Sequence, residues 1–340
     1  MFMNTELLLS GLPLWWAAGP RELLYGPEKQ VLVPAVRRLG EMRAVLYPAG
    51  EPGRAEDERA LYYMYRALNQ PEHRALFQEK GIRYDVTVLE PGSIGLEYIK
   101  TAGHYHPFKP GSGCTYPEVY EVLHGRACYL MQKPHNLQDP RQGLAQVIVV
   151  DAGPGDKVLI PPDFGHITIN PGHDFLVMSN LVAAAFQSVY EPLVEMGGGG
   201  YFGLVSAAAG RGDAGETAGA DRPGAGANFS SAAGAVPGSS AAGHADPQNG
   251  TAAGDVEHRG SAAGRAGSEE TAAGPFFVAN PRYAALPPLA RVGPQEVPQF
   301  SLLKDISQYS AFVANPGHFE FLTNPRDFTR EFEKYLQALL

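Results

Sequence analysis

TAGHYHPFKPGSGCTYPEVYEVLHGRACYLMQ, residues 101–132, is the stretch on which the fold turns. In an extended chain successive side chains alternate faces, so His104 and His106 project to one side while Tyr105 points to the other. Two imidazoles so placed form a bidentate clamp for a divalent metal. Pro107, Pro110, Gly111, Gly113 and Pro117 keep the following segment out of regular structure. Val119, Glu121 and Leu123 then alternate as a strand, which brings Glu118 back onto the histidine pair.

A fourth ligand candidate lies in GDKVLIPPDFGHITIN, residues 155–170, where His166 heads an alternating strand after a proline-bound turn. Three imidazole nitrogens and one carboxylate oxygen make a mixed set that suits iron, manganese, nickel or zinc and leaves positions open for substrate.

These two segments resemble the paired motifs of the cupin superfamily. The first reads H-x-H, then Glu118, then Gly125 after six residues; the second reads Gly155, Pro161 after five residues, then His166 with Asn170 four further on. The chain departs from the general pattern twice. Eleven residues separate His106 from Glu118 where the motif has three or four, and Asp163 stands where glycine is common. Within the superfamily, IRYDVTVLEPGSIGLEYIKTAGHYH (82–106), EVYEVLHG (118–125) and VLIPPDFGHITIN (158–170) look like the cupin-type glucose-6-phosphate isomerases, the archaeal kind. The likeness runs more loosely from about residue 37 to 201 and resumes at 276.

The resemblance implies a mostly β protein, a cupin double-stranded β-helix or jelly-roll barrel with a few flanking helices. It implies an aldose–ketose isomerase of glycolysis and gluconeogenesis that interconverts glucose 6-phosphate and fructose 6-phosphate, with a sugar phosphate as small-molecule partner and a homodimer as assembly. One divalent metal per subunit (iron, manganese, zinc or nickel) would be held by His104, His106, Glu118 and His166, and Glu118 would also exchange the proton. Tyr62, Thr87, Thr101, Gly103 and Tyr190 match positions around the bound substrate, and Tyr120, on the strand face of Glu118, is expected to help orient the sugar. Glycine precedes Tyr201-Phe202 where some members carry a histidine, so that residue's duty has no counterpart here. The same ligand set also fits a metal-dependent dioxygenase, and a non-catalytic sugar-binding cupin is the third reading.

With 340 residues the chain is long enough for one large domain or two. Its formal net charge of −9 argues against nucleic acid as a partner. Two cysteines, Cys114 and Cys128, are too few for a disulfide framework and read as reduced thiols. The apolar N-terminal run is broken by Gly11 and Pro13 and carries Glu6, so it reads as neither signal peptide nor membrane span, and a cytoplasmic protein is expected.

The organisation expected is a leader and barrel over 1–205, a disordered insertion over 206–275 and a C-terminal extension over 276–340 that ends in a helix packed on the barrel. The insertion rests on composition: Ala, Gly and Ser dominate residues 206–274, with no Leu or Ile and only Phe229 as an aromatic. Residues 61–68 (LYYMYRAL) read as a strand and 70–81 as a short helix closed by Gly81, with His73 exposed. Asn324 before Pro325 is expected to cap the last helix. Phe328, Phe332, Tyr335, Leu336 and Leu339 form its docking stripe, against the barrel or a subunit partner. His124, His135 and His173 lack partners at ligand spacing.

Overall fold

The apolar strand segments of the chain build two sheets, antiparallel but for one pair, in a computed structural model that describes residues 4–50, 52–205 and 274–340. The larger has six strands in the order Lys157–Ile160, Glu118–His124, Leu176–Ala183, Ile82–Leu89, Ala60–Tyr65, Ala35–Arg38. The second runs Gly165–Ile169, Ala127–Pro134, Leu144–Ala152, and ends on Leu289–Val292, which pairs parallel to Leu144–Ala152. Each sheet draws strands from both halves of the motif region, so the chain crosses repeatedly from one sheet to the other between Glu118 and Ala183. This is the expected double-stranded β-helix, and His104, from the irregular segment ahead of Glu118–His124, forms a β-bridge to His166 at the edge of the four-stranded sheet.

The inner faces meet in one core. Tyr120, Val122 and Met178 from the six-stranded sheet share it with Tyr129, Met131, Ile148 and Val150 from the other. The strands are also covered outside, which explains why they read as near-continuous apolar runs rather than clean alternations. On the outer face of the four-stranded sheet, Leu130, Val147, Val149, Ile167 and Ile169 pack with Leu193, Met196 and Tyr283. The outer face of the six-stranded sheet is covered from both ends of the chain. A four-stranded N-terminal meander, residues 4–31, contributes Leu14 and Trp16, and Tyr84 donates its hydroxyl to the Ser10 carbonyl at 2.9 Å. The C-terminal segment contributes Tyr309, whose ring meets Tyr84 at 5.2 Å, and Gln308, whose amide donates to the buried Glu121. The expectation for the N-terminal residues stopped at a broken apolar run; the meander arises because Gly11 (φ +69°) and Gly26 (φ +75°) reverse the chain between short strands.

The helix expected over 70–81 is a 3-10 turn followed by Arg74–Lys80 and closed by Gly81 in the left-handed region. His73 is half-buried rather than exposed, because its Nδ1 lies 2.9 Å from the Tyr309 hydroxyl. The β pattern read over 187–190 is a single bridge between Val189 and Tyr105, and a short helix, Glu191–Glu195, follows. Asn324 does not cap a helix with its side chain. Its Oδ1 accepts from Lys109, Pro325–Phe328 is a 3-10 turn, and the last helix is Thr329–Leu339. That helix buries Phe332, Tyr335 and Leu339 in the main core.

The described residues fall in one unit, Met1–Arg211 with Ala272–Leu340. The insertion expected over 206–275 lies outside the described residues except at its last two positions. No helix among the described residues is long and apolar enough to cross a membrane.

The C-terminal cover holds by aromatic packing: Phe321 is fully buried, 4.1 Å from Phe300 and 6.0 Å from Phe319 between ring centres. Phe321→Ala is expected to destabilise the fold by about 3–5 kcal/mol through lost transfer energy and the cavity left behind. Urea unfolding followed by tyrosine fluorescence checks this, and an unchanged midpoint would show that the cover is not part of the cooperative unit.

Candidate metal centre

Gly103, at φ +73°, turns the chain so that His104 and His106 enter the barrel from an extended segment, while Tyr105 leaves it and its hydroxyl accepts from Gln132 at 2.6 Å. The alternation read from the sequence holds, although two isolated bridges rather than a full ladder fix it. A Cβ on Gly103 would meet Ile167 Cγ1 at 2.4 Å and Leu193 Cδ1 at 2.7 Å. The glycine is therefore required by packing behind the segment, not only by what faces the cavity.

Glu118 opens its strand with its carboxylate pointing inward, and His166 lies on the facing sheet. His104, His106, Glu118 and His166 each offer a ligand atom, and these atoms all lie within 4.8 Å of one another. Glu118 Oε2 is 3.1 Å from His166 Nε2 and 3.3 Å from His106 Nε2, and the Nε2 atoms of His104 and His106 are 3.1 Å apart. His106 Nδ1 sits 2.8 Å from the Tyr116 carbonyl. A carbonyl only accepts, so Nδ1 carries the proton and the Nε2 lone pair is turned into the site. Burial, reinforced by the neighbouring His166 and His106, holds the His104 imidazole well below its ordinary value, and burial lowers His166 as well. Burial alone would raise the Glu118 carboxyl, but the imidazoles of His106 and His166 outweigh it and hold the group well below the usual carboxylate range. Glu118 Oε2 is buried with no hydrogen-bond donor on it. Converging lone pairs of neutral imidazoles around an ionised carboxylate oxygen repel unless a cation lies among them, so the donor set fits a divalent metal.

His104, His106 and Glu118 line a cavity of about 530 Å³ counted to its open mouth, within the range of small-molecule sites. Every residue expected to meet substrate lines it: Tyr62, Thr87, Thr101, Gly103, Tyr120 and Tyr190. Tyr120 donates or accepts at 3.1 Å from His166 Nε2, and Tyr62 accepts from the Ala102 amide at 3.3 Å. Thr101 Oγ1 accepts from the Thr168 amide at 3.0 Å, so that hydroxyl also closes the joint between the sheets.

The lining includes residues that the motifs did not single out. Asn180 donates to Glu118 Oε1 at 2.6 Å. Arg66 and Arg83 stand on the wall. Strand period would have found the arginines, since Arg66 is two beyond Met64 and four beyond Tyr62, and Arg83 is four before Thr87. Phe186, whose ring lies 4.6 Å from His106, sits in an irregular segment that gave no signal.

Both departures from the general motif meet in one place. The eleven-residue loop is tied down where the Thr115 amide donates to Asp163 Oδ1 at 3.1 Å and Thr115 Oγ1 accepts from the Asp163 amide at 2.6 Å. Asp163 adopts φ +72°, the left-handed conformation that favours glycine and that aspartate tolerates better than most residues. Its carboxylate is what the longer loop fastens to.

A family model described as Glucose-6-phosphate isomerase (GPI) matches residues 37–211. The chain is similar to the glucose-6-phosphate isomerase of Thermococcus litoralis, 32% identical over 165 residues that span 48% of this chain and 76% of the relative. It is likewise similar to that of Pyrococcus furiosus, 30% identical over 166 residues, 48% of this chain and 77% of the relative. Among solved structures it shows a likeness to the oxalate decarboxylase of Lactobacillus farciminis, with a TM-score of 0.27 and 16% identity over 38% of this chain and 30% of that one. Matched by the family model through half its own length, and covering three quarters of relatives about 30% identical to it, the chain belongs to the glucose-6-phosphate isomerase family.

Proposed function

We propose that His104, His106, Glu118 and His166 hold one divalent metal and that Glu118 moves the proton during the isomerisation of the bound sugar phosphate. The reaction itself follows from the family: interconversion of glucose 6-phosphate and fructose 6-phosphate. It takes precedence over the dioxygenase and sugar-binding readings. The observation that carries the metal assignment is the uncompensated convergence of three imidazole nitrogens and Glu118 Oε2 in buried space.

Hydrogen shifts between C1 and C2 while negative charge builds on the neighbouring oxygens. When bound, the metal supplies a Lewis acid against that charge. The chain's own residues supply the rest. Asn180 holds Glu118 Oε1 by its amide and so fixes the plane of the carboxylate. In this reading that oxygen takes the proton from one carbon and returns it to the other, a contribution of about a hundred- to ten-thousand-fold. Tyr120, buried beside Glu118 and His166, keeps its proton because burial and the adjacent carboxylate push its hydroxyl well above the ordinary range. It therefore acts as a hydrogen-bond donor to a sugar oxygen. Tyr62, Thr87, Thr101 and Tyr190 offer hydroxyls, and Gly103 backbone, along the remaining wall. Iron, manganese, zinc or nickel as the metal, a homodimer and a cytoplasmic setting complete the proposal; elemental analysis, sedimentation and fractionation test each.

Replacing His166 with alanine is expected to lower bound metal per chain and isomerase activity together, the latter by more than about a hundredfold, as loss of a Lewis acid worth several kcal/mol requires. Full activity in a metal-free variant would end the assignment. Glu118→Gln is expected to abolish deuterium exchange from solvent into C2, read by NMR of the sugar, and exchange at the normal rate would remove the proton-moving role. Tyr120→Phe should reduce kcat by roughly tenfold, the worth of one hydrogen bond of about 1.4 kcal/mol.

A further inference from the structure

The backbone that carries His104 and His106 is paired at two points rather than along a ladder. The His166 amide donates to the His104 carbonyl at 3.0 Å, and the His104 amide to the His166 carbonyl at 3.2 Å. Tyr105 exchanges a second pair of hydrogen bonds with Val189, at 2.9 and 2.8 Å, and Val189 lies in no strand. A chain held at so few points has little resistance to rolling about its own axis. Because both imidazoles leave it on one side, a roll would carry their Nε2 atoms away from the Glu118 carboxylate together. A brace against the roll has to act from the other side, and Tyr105 is the side chain there.

Tyr105 is buried and held at its far end. Its ring fills the space that a side chain on Gly165 would take, where a Cβ would stand 2.5 Å from Cζ. Gly165 pairs with Gln132 on the next strand, so the ring crosses one strand and its hydroxyl meets the Gln132 amide at 2.6 Å. Gln132 is a fixed point. Its strand, Ala127–Pro134, lies inside the sheet, and Gln132 itself pairs with Val147 on one side and Gly165 on the other. The buried side chain is anchored twice more: Oε1 accepts from the Gly200 amide at 2.8 Å, and Nε2 donates to the Tyr283 hydroxyl at 3.1 Å. An amide engaged this way has one orientation, since flipping it would set its N–H groups against the Gly200 N–H.

We propose that Tyr105 is a positioning residue: its hydroxyl, clamped by Gln132, sets the pitch at which His104 and His106 face Glu118 and His166, and so the geometry offered to the metal. The proposal rests on the metal reading of those four residues, and its test separates the two. Tyr105→Phe removes the hydroxyl but keeps the ring over Gly165 and leaves Gln132 bonded to Gly200 and Tyr283, so the fold is expected to survive. Tyr283→Phe is the control, because it takes one hydrogen bond from the same amide without touching the histidine segment. The probe is Co2+ added to the metal-stripped full chain. Competition against a chromophoric chelator gives its affinity, and its visible absorption bands report the coordination geometry. Tyr105→Phe should bind Co2+ roughly tenfold more weakly, in the range for lost support of a metal-binding histidine, with shifted bands and with kcat for glucose 6-phosphate lowered more than KM is changed. Tyr283→Phe should lower the urea midpoint as Tyr105→Phe does, yet leave Co2+ affinity and bands as in the wild type. Gln132→Met should reproduce the loss of affinity, and the double variant with Tyr105→Phe should lose no more than Gln132→Met alone; if Gln132→Met does not fold, the two tyrosine variants decide. Unchanged Co2+ affinity and bands in Tyr105→Phe, or an equal loss in Tyr283→Phe, overturns the positioning role and leaves the metal reading standing. A wild-type chain that takes up no Co2+ ends both.

Discussion

Four electron-rich atoms pressed together in a dry space are the condition that the rest of this molecule serves. Three imidazole nitrogens and a carboxylate oxygen crowd within a few ångströms, and at low dielectric their mutual repulsion is not damped by water. Such an arrangement persists only because each ring and carboxylate is aimed by something rigid: the Tyr116 carbonyl for His106, the Asn180 amide for Glu118, and the facing sheet for His166. A cation converts the repulsion into binding energy, and the aiming groups determine which cation geometry is offered.

That rigidity comes from a barrel whose sheets are covered on both sides. Charged pairs sealed under the cover fix its joints. Lys157 and Glu121, 2.8 Å apart, tie two strands of the large sheet to the C-terminal segment through the Gln308 amide. Lys100 and Glu97, 2.6 Å apart, reach the Val45 carbonyl and the Tyr47 amide just before the histidine segment begins. Pairs of this kind add little net stability, but removing one partner strands a charge, so they specify one packing over others.

The four converging residues were legible because strand period and the motif spacings both report on them. The arginines obeyed the same period and were still missed, since charge on a strand ordinarily signals a solvated face, and only the register reveals that this face lines a cavity. The Thr115–Asp163 fastening could not be read at all: the residues are 48 apart and neither type is unusual in a loop. Asn324 shows the converse error. Its Asn-Pro pair matched a helix start, but the side chain was taken by Lys109 from a loop over 200 residues away, a tertiary contact that local propensity does not contain. The N-terminal meander escaped for want of strand length, its strands being two to four residues each.

Lys109 lies in the loop between His106 and Glu118, and besides Asn324 it holds the Thr323 carbonyl, while Arg326 reaches the Gly111 carbonyl. The segment between His106 and Glu118 is thus fastened by residues more than two hundred positions downstream. Translation delivers the four converging residues well before these anchors, so the loop that joins them waits for its fastening after the barrel strands have been made. A nascent chain halted after the barrel would own all four and lack the clasp that spaces them, so maturation of the site is tied to synthesis of the downstream segment rather than to closure of the barrel alone.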